Sequence, residues 1–406
     1  MKYVIIGNST AGIGGVEGIR SRDKAGEIVL IGDENHCAYS RPLISYLLEG
    51  KTDQERMLYR ERNFYEENNV TALLGRRAER LEDHAVRLDG GEKIAFDRLL
   101  VATGSSPIVP PVPGLEEYYT FMTLDEALRL EAALKEDSRV LIVGAGLIGL
   151  KCLEGIAARV GEVTVVDRAP QILPSVLDAD AAARMQAHIE EASGAKFLLG
   201  DSLARVEGHT AILESGARVD FDILVLAVGV RPNVALVRDA GGEVRRGIAA
   251  DDGGHTSLAD VYAAGDCRES RDITTGQERV LALLPNAYMQ GFCAGANMAG
   301  GDVRFDKAIP MNALGLFGLH AITAGSYVGE AREHIDANQY KKLFVQDGLL
   351  KGYILLGDVE RAGIYTALIR EQTPLDQVDF DLIFEKPQLM AFSRSERVRR
   401  MGGLPQ

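Results

Sequence analysis

Two short glycine turns carry the chemistry that can be read first. Gly7-Asn8-Ser9-Thr10-Ala11-Gly12 follows the apolar run Tyr3 to Ile6, and Gly144-Ala145-Gly146-Leu147-Ile148-Gly149 follows Arg139 to Val143. Behind each turn, apolar residues recur at helical spacing: Ile13, Val16 and Ile19 in the first, Leu153 and Ile156 in the second. A strand, a tight glycine turn and a helix N-terminus together form a cradle for a pyrophosphate. One glycine makes the turn, one lets backbone amides approach the anion, and one allows the helix to lie on the strand. Each unit is followed by a second strand ending in an acid that can bind a ribose: Ile28 to Ile31 leads to Gly32-Asp33-Glu34, and Val163 to Val166 leads to Asp167. Glu34 is the preferred ribose acid of the first unit and Asp33 its rival on spacing. A carboxylate at Asp167 would repel a 2′-phosphate and select NADH over NADPH, while the neighbouring Arg168 could pair one. One such turn is weak evidence, but two in the right context point to two dinucleotides.

The elements that must position these turns form an α/β chain. Gly14, Gly15 and Gly18 lie inside the first helix, where each costs up to about 1 kcal/mol relative to alanine. That cost predicts close approach to a neighbouring strand. Leu99 to Gly104 and Ile223 to Gly229 are apolar strands ending in small-residue turns, read as crossings between domains. Thr256 to Asp266 ends a further strand in Gly265-Asp266, where the carboxylate can accept hydrogen bonds from sugar-like hydroxyls. Beyond about residue 305, Lys341 to Val345 and Gly352 to Leu356 flank the turn Asp347-Gly348 as a hairpin. Arg394, Arg397, Arg399 and Arg400 make a basic tail, either a solvated end or a docking patch for an acidic carrier.

Bulk properties narrow the field. The 406 residues suffice for two or three domains, and 45 basic against 59 acidic residues give a formal charge of −14, which disfavours nucleic acid as a partner. No apolar run reaches the roughly 20 residues needed to span a bilayer. The N-terminus reads as a strand rather than a signal peptide, so the expected address is cytoplasmic. Cys37, Cys152, Cys267 and Cys293 are far apart and form no CxxC pair, so no metal site is expected.

With Tyr39-Ser40-Arg41-Pro42-Leu43, Ala102-Thr103-Gly104, Ala263-Ala264-Gly265-Asp266, Leu284-Pro285-Asn286-Ala287 and Leu355-Leu356-Gly357-Asp358, the chain resembles the FAD- and NAD(P)-dependent pyridine nucleotide-disulfide oxidoreductase superfamily over nearly its whole length. The branch it is most similar to contains NADH:rubredoxin oxidoreductase, the reductases of oxygenase ferredoxins and the flavin portion of nitrite reductases. The resemblance implies two Rossmann-like domains of glutathione-reductase type, FAD-binding at 1–110 and 234–305 and NADH-binding at 111–233. A small C-terminal α+β interface domain at 306–406 would complete the chain. It also implies roles. Gly7, Ser9 and Gly12 would surround the FAD pyrophosphate, Glu34 would hold its ribose and Ala78 would face the adenine. Arg41 and Pro42 would lie along the flavin, with Thr103, Gly104 and Gly265 close by, Asp266 on the ribityl chain and the helix opening at Asn286 aimed at the ring. NADH would lie on Gly144, Gly146, Ile148 and Gly149, with Asp167 on its ribose and Gly229 on the nicotinamide side.

The departures from the family pattern are informative. Pro42 stands where many members carry a redox-active cysteine, so no thiol relay is expected and the flavin would exchange electrons directly with its second substrate. The lysine–glutamate pair that relatives place beside the flavin is replaced by Tyr46 and Lys151. A reversed pair between Lys151 and Glu49 is one reading, and a solvated lysine the other. The expected activity is electron transfer from NADH through FAD to a small iron-containing carrier such as rubredoxin or ferredoxin. The alternatives are an NADH oxidase or peroxidase acting on oxygen, and a flavin-bearing subunit of a larger complex. A homodimer or complex subunit is the expected assembly.

Overall fold

The computed structural model describes residues 1–400. Its first sheet contains five strands in the order Val261–Ala263, Arg98–Val101, Lys2–Ile6, Glu27–Gly32 and Val70–Leu74, all paired in parallel. Strands this apolar along their whole length suit a sheet covered on both faces. Tyr3, Ile5, Ile28, Leu30 and Leu100 bury against the helices Thr10–Arg22 and Leu284–Met298. The alternate residues Val4, Ile6, Val29, Ile31 and Leu99 bury on the other face with Val86 and Leu88, from a three-stranded antiparallel sheet.

The glycines of the first helix serve more than the expected strand contact. Gly15 does face the sheet, since a Cβ there would stand 2.5 Å from the Leu100 Cδ2. Gly14 and Gly18 instead face the helix Leu284–Met298, where a Cβ would lie 2.5 Å from the Tyr288 carbonyl oxygen and 2.2 Å from that of Phe292. That helix answers with Gly291 and Gly295, whose Cβ atoms would fall 2.0 Å from the Ala11 oxygen and 2.1 Å from the Gly15 oxygen. Two backbones therefore touch directly, and the Cβ-free surface belongs mainly to a helix pair.

The second unit repeats the plan with a parallel sheet ordered Lys196–Leu199, Glu162–Asp167, Arg139–Val143 and Ile223–Leu226, carrying the helices Leu147–Ile156 and Ala179–Ser193. The chain crosses between the two units on two strands that pair with each other, Ser105–Pro107 and Val230–Pro232. Their junction is locked by the Thr103 hydroxyl donating to the Asn233 carbonyl at 2.7 Å and the Asn233 side-chain amide donating back to the Thr103 carbonyl at 2.9 Å. The expected crossings are thus a single hydrogen-bonded ribbon.

The C-terminal part is a five-stranded antiparallel sheet, Met311–Leu316, Leu319–Gly325, Leu349–Leu356, Tyr340–Gln346 and Glu330–Ile335, packed on the helix Ala362–Arg370. Its expected hairpin is present: Asp347 and Gly348 both have positive φ, 54° and 68°, the turn geometry that matches strand twist. The basic tail begins as the short helix Arg394–Arg400, and the side chains of Arg399 and Arg400 lie outside the described residues. Among the described residues no helix is long and apolar enough to cross a membrane.

Candidate functional site

The first glycine turn opens onto a cleft that runs along the C-terminal edge of the first sheet. Gly7 adopts φ 122°, and a Cβ there would meet the Ala102 carbonyl oxygen at 2.0 Å; one on Gly12 would meet the Gly7 oxygen at 1.9 Å. Ser9 stands at the N-terminus of the helix, extended and without a side-chain cap bond, and the first turn carries no acidic residue. The positive helix end therefore faces the space lined by Gly7, Ser9 and Thr10, ready for an anion. At one end this space continues into a cavity of about 400 Å³ bordered by Asp33, Arg77, Ala78 and Thr103.

Glu34 is committed elsewhere. One carboxylate oxygen accepts from the Arg41 guanidinium at 2.5 Å and the other from the Tyr39 hydroxyl at 2.6 Å, and that hydroxyl also accepts the Leu124 amide at 2.8 Å. Asp33, exposed at the strand end, borders the cavity on both sides of Gly7. Glu34 also borders the cleft, so both acids of this strand end reach the space. Glu34 fixes Arg41, whose other amino group holds the Met122 carbonyl at 2.8 Å.

At its other end the cleft is bordered by Arg41, Gly104, Gly265, Asp266 and Leu284. The Gly265 amide donates to the Gln290 side chain at 2.8 Å, which fixes the turn against the helix Leu284–Met298. Burial pushes the Asp266 carboxyl up to about 6, against the opposing pull of Arg41 and Ser105. Asn286 is buried in the first turn of that helix. Its side-chain amide donates to the Ile309 carbonyl at 3.0 Å, while its Oδ1 is buried without a hydrogen-bond partner among the described residues. Asn286 does not border the cleft, so what it fixes is the helix end. Pro42 is exposed in the tight turn Arg41–Leu43 and also stands outside the lining. No cysteine borders either this cleft or the next.

The second glycine turn borders a larger cleft of about 870 Å³. Gly144 (φ 119°) and Gly149 are required by close backbone approach, with Cβ positions 2.2 Å from the Ala227 oxygen and 1.9 Å from the Gly144 oxygen. Gly146 has no such neighbour: a Cβ there would meet nothing within 4 Å, so its open side faces the cleft beside Ile148 and Gly229. Asp167 accepts the Ala145 amide at 2.6 Å on one oxygen and the Ala169 amide at 2.7 Å on the other, which clamps the carboxylate at the rim next to Arg168. Ser105, Met122 and Asp266 border both clefts, so the two spaces meet at the half-buried Asp266. Ser105 and Met122 belong to no motif, and only the ribbon and the Arg41 bond bring them there.

Lys151 is placed differently from either expectation. Its ammonium pairs with Glu154 one helical turn away, donates to the Gly315 carbonyl at 3.2 Å and lies 4.5 Å from the centre of the Tyr46 ring. Glu49 pairs with Lys51. Lys151 is therefore a junction between the second unit and the C-terminal sheet, and it is absent from the cleft lining.

Comparison with known proteins agrees with this architecture. The family described as pyridine nucleotide-disulphide oxidoreductase matches residues 1–291, and the rubredoxin NAD+ reductase C-terminal domain matches residues 310–373. The chain is 32% identical over 394 residues to the epsilon subunit of NADH-dependent phenylglyoxylate dehydrogenase from Aromatoleum evansii, covering 92% of each. It is 30% identical to an NADH oxidase from Methanocaldococcus jannaschii, with 88% of each covered. The fold is similar to that in the covalent putidaredoxin reductase–putidaredoxin complex, with a TM-score of 0.86, 23% identity and 99% of each chain covered. Two glycine cradles whose clefts meet at one half-buried carboxyl, and a family match across the residues that build them, lead to the same conclusion: this chain belongs to the pyridine nucleotide-disulphide oxidoreductase family.

Proposed function

We propose that the chain takes electrons from NADH through FAD and passes them to a small one-electron iron carrier of the rubredoxin or ferredoxin kind. The observation that carries this reading is the junction of the two clefts at Ser105, Met122 and Asp266, with no cysteine on either lining. FAD, when bound, accepts hydride and can release electrons singly, which converts two-electron into one-electron traffic.

The unit formed by 1–110 and 234–305 would hold FAD. Gly7, Ser9 and Gly12 would bring backbone amides to its pyrophosphate, Asp33 would take the adenosine ribose and Ala78 the adenine. Thr103, Gly104 and Gly265 would let the backbone run beside the cofactor. Asp266 would accept from the ribityl hydroxyls, and a half-buried carboxyl at the meeting point of two clefts is the kind of acceptor such a chain needs. Arg41, immobilised by Glu34 and Met122, and the N-terminal end of the helix Leu284–Met298 would both bring positive charge to the ring, which would favour accepting electrons there. In the unit 111–233, Gly144, Gly146, Ile148 and Gly149 would seat the NADH pyrophosphate, Asp167 would take its ribose and Gly229 would border the nicotinamide.

Without a thiol on the lining, electrons would leave directly for the acceptor. The holoprotein, reduced anaerobically with NADH and then mixed with rubredoxin, ferredoxin, quinone or oxygen in turn, should be reoxidised fastest by an iron carrier. Reoxidation by oxygen alone would replace this reading with an oxidase. A second reading, a flavin-bearing subunit, is favoured by the match over 92% of a relative named as an epsilon subunit. Recovery of the native protein in a stoichiometric complex, inactive when separated, would support it.

A further inference from the structure

We propose that Tyr327, assisted by Tyr340 and Lys342, is a positioning residue for NADH although it lies in the C-terminal part, between the strands Leu319–Gly325 and Glu330–Ile335. The inference rests on the reading of the larger cleft as the NADH site. One wall of that cleft is the loop joining the strand Glu162–Asp167 to the helix Ala179–Ser193, through Arg168, Pro174, Ser175 and Val176.

The two halves of this loop are held by different parts of the molecule. The first half is tied within its own unit: the Ala169 amide donates to Asp167 at 2.7 Å and the Leu173 amide to the Ala145 carbonyl at 2.9 Å. Leu173 sits at φ 48°, a conformation that a branched side chain adopts only under constraint. The second half is tied to the C-terminal sheet. The Tyr327 hydroxyl donates to the Val176 carbonyl at 2.5 Å, and Asp178 receives the Tyr340 hydroxyl at 2.7 Å and the Lys342 ammonium at 3.2 Å. Asp178 spends its other oxygen capping the following helix through the Ala181 amide at 3.1 Å.

The donors are themselves rigid. The Tyr327 ring stacks on Phe344 with centroids 5.1 Å apart, and Tyr340 is buried within the sheet. Val176 is buried as well as lining the cleft, so removing the Tyr327 hydroxyl would leave its carbonyl short of a partner in a place water reaches poorly. The wall would relax at Pro174, Ser175 and Val176, which border the cleft, while the half of the loop tied to Ala145 stays in place. The consequence falls on nucleotide binding, because none of these three side chains borders the space where the two clefts meet.

Tyr327→Phe keeps the ring and its stacking and removes only the donor. In the FAD-loaded full chain, NAD+ affinity by titration calorimetry and KM for NADH should both weaken roughly fivefold to tenfold, the worth of one hydrogen bond. The kcat value and flavin content should stay within about twofold of wild type, on the same reasoning. Lys342→Met should shift the same two quantities in the same direction. Wild-type NAD+ affinity and KM in both variants would overturn the proposal while leaving the NADH reading intact, as would a loss confined to kcat. A wild-type protein that neither binds NAD+ nor oxidises NADH would remove the cleft assignment itself, and this proposal with it.

Discussion

Asp266 is where desolvation and the proposed cofactor binding would oppose each other most directly. Its carboxyl, raised to about 6 by desolvation, binds a proton more tightly in the folded apoprotein than in the unfolded chain. Its contribution to stability is therefore complete below the unfolded value near 3.8 and lost as pH rises through about 6, a difference on the order of 3 kcal/mol. Hydroxyl donors from a ribityl chain would favour the ionised form, so FAD affinity should strengthen over the same interval. Asp266→Asn should give an apoprotein more stable than wild type at neutral pH and nearly flat in stability across that window, yet with weaker FAD binding. Chemical unfolding at several pH values and flavin titration measure both effects, and FAD affinity equal to wild type at every pH would take Asp266 out of the site. Its place beside the clefts follows from a strand ending in Gly-Asp, a form recognisable in the sequence. Between Asp33 and Glu34 the sequence does not choose, because both occupy the same strand end and neighbouring side chains there point opposite ways. What separates them is Arg41 and Tyr39, which arrive from a loop. Lys151 shows the same limit: Glu154 lies at the helical neighbour position, but the Gly315 carbonyl that completes its site comes from another sheet.

Among the elements, the helix pair Thr10–Arg22 and Leu284–Met298 matters most, since in the proposed reading one helix end would serve the pyrophosphate and the other the flavin. Their separation is set by glycines four residues apart, Gly14 and Gly18 on one and Gly291 and Gly295 on the other. Gly291→Ala would drive a methyl group to 2.0 Å from a backbone oxygen, so the helices must separate. A loss of about 1–3 kcal/mol or more and a marked fall in bound flavin are expected, read by thermal unfolding and by absorbance. Gly363→Ala, also in a helix but with nothing within 4 Å of the added carbon, should be neutral or stabilise by up to about 1 kcal/mol. Equal effects of the two substitutions would mean that helix propensity, and not helix contact, governs Gly291. The glycines of the first helix were visible in the sequence as a demand for close approach. Their main partner was not, because it lies some 270 residues further on and glycine spacing alone does not distinguish a strand neighbour from a helix neighbour. The two strand–turn–helix repeats were legible for the opposite reason, since everything that defines them is local.

At the scale of the molecule, two sheets of the same plan are joined by one ribbon, and the C-terminal sheet braces the second through Lys151, Tyr327 and Asp178. The family resemblance implied a C-terminal domain for partner contacts, and no pattern in the chain announced these bracing bonds. They arise from tyrosine hydroxyls and carbonyls that have no sequence signature. The arrangement leaves the meeting point of the clefts lined by a serine, a methionine and a carboxyl, with no thiol to carry electrons. The most direct test is anaerobic rapid mixing of the FAD-loaded protein with NADH after its accessible thiols have been alkylated, followed through the flavin absorbance. Rapid, stoichiometric bleaching at the rate of the untreated protein is expected; no bleaching, or bleaching abolished by alkylation, would rule out direct reduction of the flavin without a thiol.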